Sequence, residues 1–213
     1  MKIVCLSDTH GKTKGLQVPD GDVLVHAGDA TMMGKPHELK EFDDWLGQLP
    51  HATKIFVPGN HDWLFSQDPL QARAIVSNAH VLINEGFQVR DGAGKQFSIH
   101  GSPVQPAFCD WAFNIKGEDN LKRYWEMCPA GVDVLVTHGP PFGILDEVPY
   151  AGTRVGSTSL LDEVLTRIKP KLMVFGHIHH SYGQYEFNGT TFVNASTCNE
   201  RYLPVNPAIV VEV

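Results

Sequence analysis

Five short clusters hold the side chains of this sequence that could do chemistry: Asp8-Thr9-His10, Gly28-Asp29, Gly59-Asn60-His61-Asp62, His138-Gly139 and Gly176-His177-Ile178-His179. Carboxylate, amide and imidazole groups are oxygen and nitrogen donors for divalent cations. Two imidazoles at i and i+2 on an extended loop can both reach one ion. Each cluster alone is ordinary turn chemistry, because Asp, Asn and Gly populate turns for local reasons. Their shared placement is what distinguishes them, since every one follows an apolar run of strand length. Loops at the carboxyl ends of buried strands converge on one crevice. The five together therefore predict a metal site.

The positioning elements follow from the same pattern. Ile3–Leu6, Asp22–His26, Lys54–Val57, Asp133–Thr137 and Lys171–Phe175 are near-continuous apolar runs, which suit strands buried on both faces. Pro36 opens a helix with Leu39, Phe42, Leu46 and Leu49 at helical spacing. Ser157–Ser159 offers N-cap hydroxyls to a second helix carrying Leu160, Leu161, Val164, Leu165 and Ile168, and Pro170 stops it. Asp91-Gly92-Ala93-Gly94 and Asn188-Gly189 mark two hairpin turns, and Ile209–Val213 reads as a last strand. The expected fold class is α/β: two mixed β-sheets packed as a sandwich flanked by helices, in a single domain over residues 1–213.

Composition narrows the function classes. The chain is 42% apolar and 19% charged, as soluble globular proteins are, and no apolar run approaches a membrane-spanning length. A net charge of -7 argues against a surface that grips bulk nucleic acid. The first apolar stretch passes at once into Ser7-Asp8-Thr9-His10 and reads as a strand instead of a signal peptide, so a cytoplasmic location is expected. Cys5, Cys109, Cys128 and Cys198 are widely spaced and fit reduced thiols. His26, His37, His51 and His80 are expected to be structural, as are His100 and His180, although the last two lie nearer the crevice. His37-Glu38 lacks the second histidine of a zincin helix, and neither a P-loop nor a Gly-x-Ser-x-Gly elbow occurs.

In order, the clusters match the blocks D-x-H, G-D, G-N-H-D/E, H and G-H-x-H, and the chain resembles the calcineurin-like metallophosphoesterases that carry them. Longer stretches are similar to one branch, the small metallophosphoesterase-domain proteins related to class III cyclic-nucleotide phosphodiesterases. These include Trp111-Ala112-Phe113-Asn114, Thr137-His138-Gly139-Pro140-Pro141, Gly143-Ile144-Leu145-Asp146 and Val193-Asn194-Ala195-Ser196. The resemblance spans nearly the whole chain.

It implies two divalent metal ions at one edge of the sandwich. Asp8, His10 and His179 would bind the first ion, and Asn60, His138 and His177 the second. Asp29 would bridge them through both carboxylate oxygens. Mixed oxygen and nitrogen donors suit Mn, Fe or Zn. The implied activity is hydrolysis of small phosphodiesters such as cyclic nucleotides by a metal-bridging hydroxide, with His61 as the catalytic acid. The positive metal pair would attract the small phosphate-ester substrate that the acidic surface does not.

Two departures qualify the resemblance. Gly28-Asp29-Ala30-Thr31-Met32-Met33-Gly34 lacks the second aspartate and the arginine of the protein-phosphatase motif G-D-x-x-D-R-G, so the partner that orients His61 is open. Val104 stands where the branch usually has Trp after Gly-Ser-Pro, a difference expected in the substrate pocket. Two other readings are a nucleotide- or metal-binding regulatory protein with residual phosphoesterase activity, and a nuclease. The complete donor set argues against the first; small size and acidic charge argue against the second.

Overall fold

Strands that are apolar at nearly every position must be covered on both sides, and a four-layer arrangement covers them. The computed structural model describes residues 1–149 and 152–213. One sheet contains β1 (Lys2–Leu6), β2 (Val23–His26), β3 (Thr53–Phe56), β4 (His80–Val81) and β13 (Ile209–Glu212), in the order β13-β1-β2-β3-β4. The other contains β5 (Glu85–Arg90), β6 (Gln96–Ser102), β9 (Val134–Thr137), β10 (Leu172–Phe175), β11 (Gly183–Phe187) and β12 (Thr190–Asn194), in the order β11-β12-β10-β9-β6-β5. A short ribbon pairs β7 (Gln105–Pro106) with β8 (Asn114–Ile115).

Both sheets are parallel inside and antiparallel at an edge: β13 runs against β1, β5 against β6 and β11 against β12. The last two pairs are the hairpins expected at Asp91–Gly94 and Asn188-Gly189.

Side chains alternate across each strand. Ile3, Cys5, Val23, Val25, Val134, Val136, Leu172 and Val174 pack between the sheets. Val4, Leu6, Leu24 and Phe56 face the other way, onto α1 (Pro36–Gln48) and the short helices α2 (Leu64–Gln67) and α3 (Pro69–Ile75). Leu135, Met173, Phe175 and Phe192 pack on α4 (Glu118–Trp125) and α5 (Thr158–Glu163). The expected two-sheet sandwich with flanking helices is the observed fold.

Local differences have physical causes. The second expected helix starts where predicted, with the Ser157 side chain accepting from Leu160 N–H, but after Glu163 it widens into a π turn over Val164–Ile168. Lys169 N–H closes that turn on the Val164 carbonyl at 3.0 Å. His80 lies in a two-residue edge strand instead of a connection, with its ring stacked on Phe87.

The carboxyl ends of the central strands are level: Leu6 pairs with His26, and His26 with Phe56. Just beyond, the chain leaving β12 crosses to β1, where Thr197 N–H donates to the Ser7 carbonyl at 2.8 Å. The two sheets are thereby tied together at the edge where the five clusters emerge.

Candidate metal centre

Asp8 and His10 follow β1, Asp29 follows β2, Asn60 and His61 follow β3, His138 follows β9, and His177 and His179 follow β10. All eight residues meet at the carboxyl edge. Asp8, His10, Asp29 and His177 have positive φ values of 52°, 45°, 54° and 67°. Such backbone is costly for residues other than Gly and is kept where surrounding structure enforces it. Glycines make the close approach feasible. A Cβ at Gly59 would land on the Asp29 carboxylate, and one at Gly176 on the Asp8 carboxylate.

Three donor groups have their ligand atoms within 4.8 Å of one another: Asp8, His10 and His179; Asp29, His138 and His177; and His10, Asp29 and His61. Asn60 joins the second group through its Oδ1, 2.9 Å from His138 Nε2. Asp29 is common to two of them. Its Oδ2 lies 3.4 Å from His138 Nε2 and 3.9 Å from His10 Nε2, while its Oδ1 accepts from His61 N–H at 2.8 Å. One oxygen thus faces both sides, and the other is held by the backbone.

The donor set fits a cation on a specific observation. His10, His138 and His179 each place Nδ1 on a main-chain carbonyl, of Thr31, Ala27 and Asn199 respectively. A ring that donates there presents a bare Nε2 in its neutral form. The Nε2 atoms of His10 and His179 are 3.2 Å apart, and both face Asp8 Oδ1, which is buried and has no other polar partner among the described residues. Asp8 Oδ2, in contrast, accepts from His177 N–H and the Ser196 hydroxyl, each at 2.9 Å. Lone pairs converging on lone pairs in a buried site call for a positive charge between them.

Electrostatics agree. Burial pushes the Asp8 carboxyl up, but His179, His138 and His10 outweigh it and hold it well below the usual range. Asp29 is likewise lowered against its burial, chiefly by His138. Burial lowers His10 to about 4 and His177 to about 3, so both are neutral donors. Burial also pulls on His138, yet Asp29 and Asp8 raise it to about 9, so a proton binds there when no metal competes.

His61 stands beside these groups. Its Nδ1 donates to the Met32 carbonyl at 2.8 Å, and its ring stacks on Trp111 at 4.1 Å. Asp62 does not orient that ring. Its carboxylate accepts from Ala30 N–H, Thr31 N–H, the Thr31 hydroxyl and Gly59 N–H, which locks the loop after β2 to the loop after β3. Burial pushes Asp62 up to about 6, with Asp29 adding to it.

A cleft of about 630 Å³ opens over the donors. Phe108, Trp111, Pro140, Val148, Val155 and Ile178 supply apolar wall, and Tyr202, His180 and Glu200 line it too. His180 Nδ1 lies 2.8 Å from Glu200 Oε1. His26 and His100 are buried in strands. Val104 packs with the α4 and α5 core instead of lining the cleft, so the departure noted there is one of core packing. Sequence reasoning assigned no role to Trp111, Ser196, Asn199 or Tyr202. Only Trp111 and Ser196 had a signal, since both fall in stretches that carry the family resemblance.

Comparisons with known proteins point the same way. Residues 1–181 match the family model described as calcineurin-like phosphoesterase. The chain is similar to the human metallophosphoesterase domain-containing protein 1, 42% identical over 99% of this chain and 70% of that protein. It is 25% identical to a 3′,5′-cyclic-nucleotide phosphodiesterase of Nostoc sp., over 84% of this chain and 64% of that one. Among solved structures, an NAD nucleotidase of Haemophilus influenzae superposes with a TM-score of 0.52 at 14% identity, covering all of this chain and 49% of that one. That last likeness concerns the fold.

Proposed function

Because the chain belongs to the calcineurin-like phosphoesterase family, a group of enzymes that normally bind a divalent metal pair, we propose that it is a dinuclear phosphodiesterase of small phosphodiesters such as cyclic nucleotides. The carrying observation is the Asp29 Oδ2 position, facing His138 on one side and His10 on the other. Asp8, His10 and His179 would hold one ion, Asn60, His138 and His177 the other, and Asp29 both. Oxygen and nitrogen donors without thiolate suit Mn, Fe or Zn. When bound, such a pair lowers the pKa of water and neutralises charge on phosphoryl oxygens.

The chain's own residues do the rest. The Met32 carbonyl fixes His61 Nδ1 and Trp111 fixes the ring plane, which leaves Nε2 to give a proton to the departing ester oxygen. Among the described residues lining the cleft, none is lysine or arginine, and Glu200 adds negative charge. That balance favours a phosphodiester, with one negative charge, over a doubly charged monoester. The apolar wall of Phe108, Val148 and Val155 suits a flat, weakly polar ester group. Four free cysteines fit the reducing cytoplasm as its location.

The test is turnover of bis-p-nitrophenyl phosphate and of p-nitrophenyl phosphate by manganese-loaded protein. The diester is expected to have the higher kcat/KM. Equal turnover of both, or faster turnover of the monoester, would refute the diester assignment.

A further inference from the structure

A phosphoryl group needs donors for the oxygens that metals do not take, and the arginine that protein phosphatases carry after Gly-Asp is absent from Ala30–Gly34. Among the described residues, the cleft lining offers no lysine or arginine in its place. Tyr202 is a neutral donor beside the metal-ligand candidates.

Tyr202 is held over the site by a strained and over-determined turn. Its φ is 57°, an uncommon conformation for an aromatic residue. Asn199 enforces it: its Oδ1 accepts from Arg201 N–H at 3.0 Å and Leu203 N–H at 3.1 Å, and its carbonyl accepts from Tyr202 N–H at 2.8 Å. The same carbonyl receives His179 Nδ1 at 2.9 Å, so one turn both orients a metal-ligand candidate and aims the tyrosine. The Tyr202 ring lies 4.8 Å from that of His10, 5.5 Å from His179 and 6.3 Å from His61. It lines the cleft and is 37% exposed. A phenol is protonated at neutral pH and is a donor.

We propose that the Tyr202 hydroxyl, projected over His10 and His179 by the Asn199 turn, donates a hydrogen bond to a phosphoryl oxygen of the bound ester and fills the role that arginine fills in the protein phosphatases. The inference rests on the phosphoesterase reading of the same site. Because the charge of a phenol is zero, the contact holds the phosphoryl group without raising the affinity for doubly charged monoesters as an arginine would.

Tyr202→Phe isolates the hydroxyl, because the ring and its packing on His10 stay. In manganese-loaded protein with bis-p-nitrophenyl phosphate, kcat/KM is expected to fall by about 10- to 100-fold, the range for losing one hydrogen bond to a charged group. Metal content should not change, and inorganic phosphate should inhibit the variant more weakly than wild type. Activity and phosphate inhibition within twofold of wild type would overturn the proposal. If the wild type turns over no ester, the phosphoesterase reading fails by itself. Calorimetric binding of inorganic phosphate to both metal-loaded proteins then decides the role of Tyr202: weaker binding by the variant supports the contact, and equal binding overturns it.

Discussion

His61 and Met32 are joined by a 2.8 Å hydrogen bond from the imidazole Nδ1–H to a main-chain carbonyl. That bond supplies the orientation that a second aspartate gives in the protein phosphatases. It fixes which nitrogen faces the cleft, and Trp111 stacked at 4.1 Å fixes the plane. Replacing the imidazole should therefore remove proton transfer without dismantling the metal-ligand candidates. His61→Ala is expected to lower kcat for bis-p-nitrophenyl phosphate by about 10²- to 10⁴-fold, with unchanged metal content by elemental analysis. Equal rates for variant and wild type would refute the assignment.

Asp8 makes a different kind of prediction, because its two oxygens have separate duties. Oδ2 is engaged by His177 N–H and by the Ser196 hydroxyl, which leaves Oδ1 to face His10 and His179. Partners of metal ligands commonly contribute about 10- to 100-fold to metal affinity. Ser196→Ala should weaken manganese binding by roughly the lower end of that range, measured by titration with electron paramagnetic resonance. Gly176→Ala should weaken it further, since the added methyl would collide with the same carboxylate. Manganese affinities equal to wild type in both variants would contradict this account of Asp8.

His138 links metal binding to pH. In the metal-free protein burial opposes its charge, but Asp29 and Asp8 prevail and raise it to about 9. An imidazole in an unfolded chain titrates near about 6.5. The charged ring therefore stabilises the folded state fully below about pH 6.5, and that contribution is lost as pH rises through about 9. Metal binding requires the neutral ring, so uptake in this window should release a proton. Thermal melts of chelator-treated protein from pH 6 to 10, and calorimetry of metal uptake in buffers of different ionisation enthalpy, measure the two effects. A binding enthalpy independent of buffer would show that no proton leaves.

The parts legible in the sequence were those with a strong local cause. The five central strands stood out because both faces are largely buried, which makes most positions apolar, and the two hairpins because Asp91–Gly94 and Asn188-Gly189 carry turn chemistry. Asp22 and Asp133 were read as strand but flank it, since their carboxylates accept from Lys2 N–H and Ser98 N–H at the strand starts. Helices α2 to α4 lacked a long periodic face, and β4, β7 and β8 are two residues each.

At the site, the donor residues were visible because carboxylate, amide and imidazole side chains are recognisable as metal donors by type. The fixing of His61 was not, because it depends on a backbone carbonyl, which every residue has. Tyr202 was hidden for another reason: it reaches the site only through the chain crossing from β12 to β1 and the Asn199 turn, contacts that no local spacing encodes.

The central claim is a pair of cations sharing Asp29, and counting them tests it most directly. Protein saturated with manganese, passed through a desalting column and analysed for metal and polypeptide should hold two ions per chain. Asp29→Ala, which removes the shared oxygen, should hold fewer than one. A wild type that never exceeds one ion per chain, or a variant that keeps two, would contradict the account.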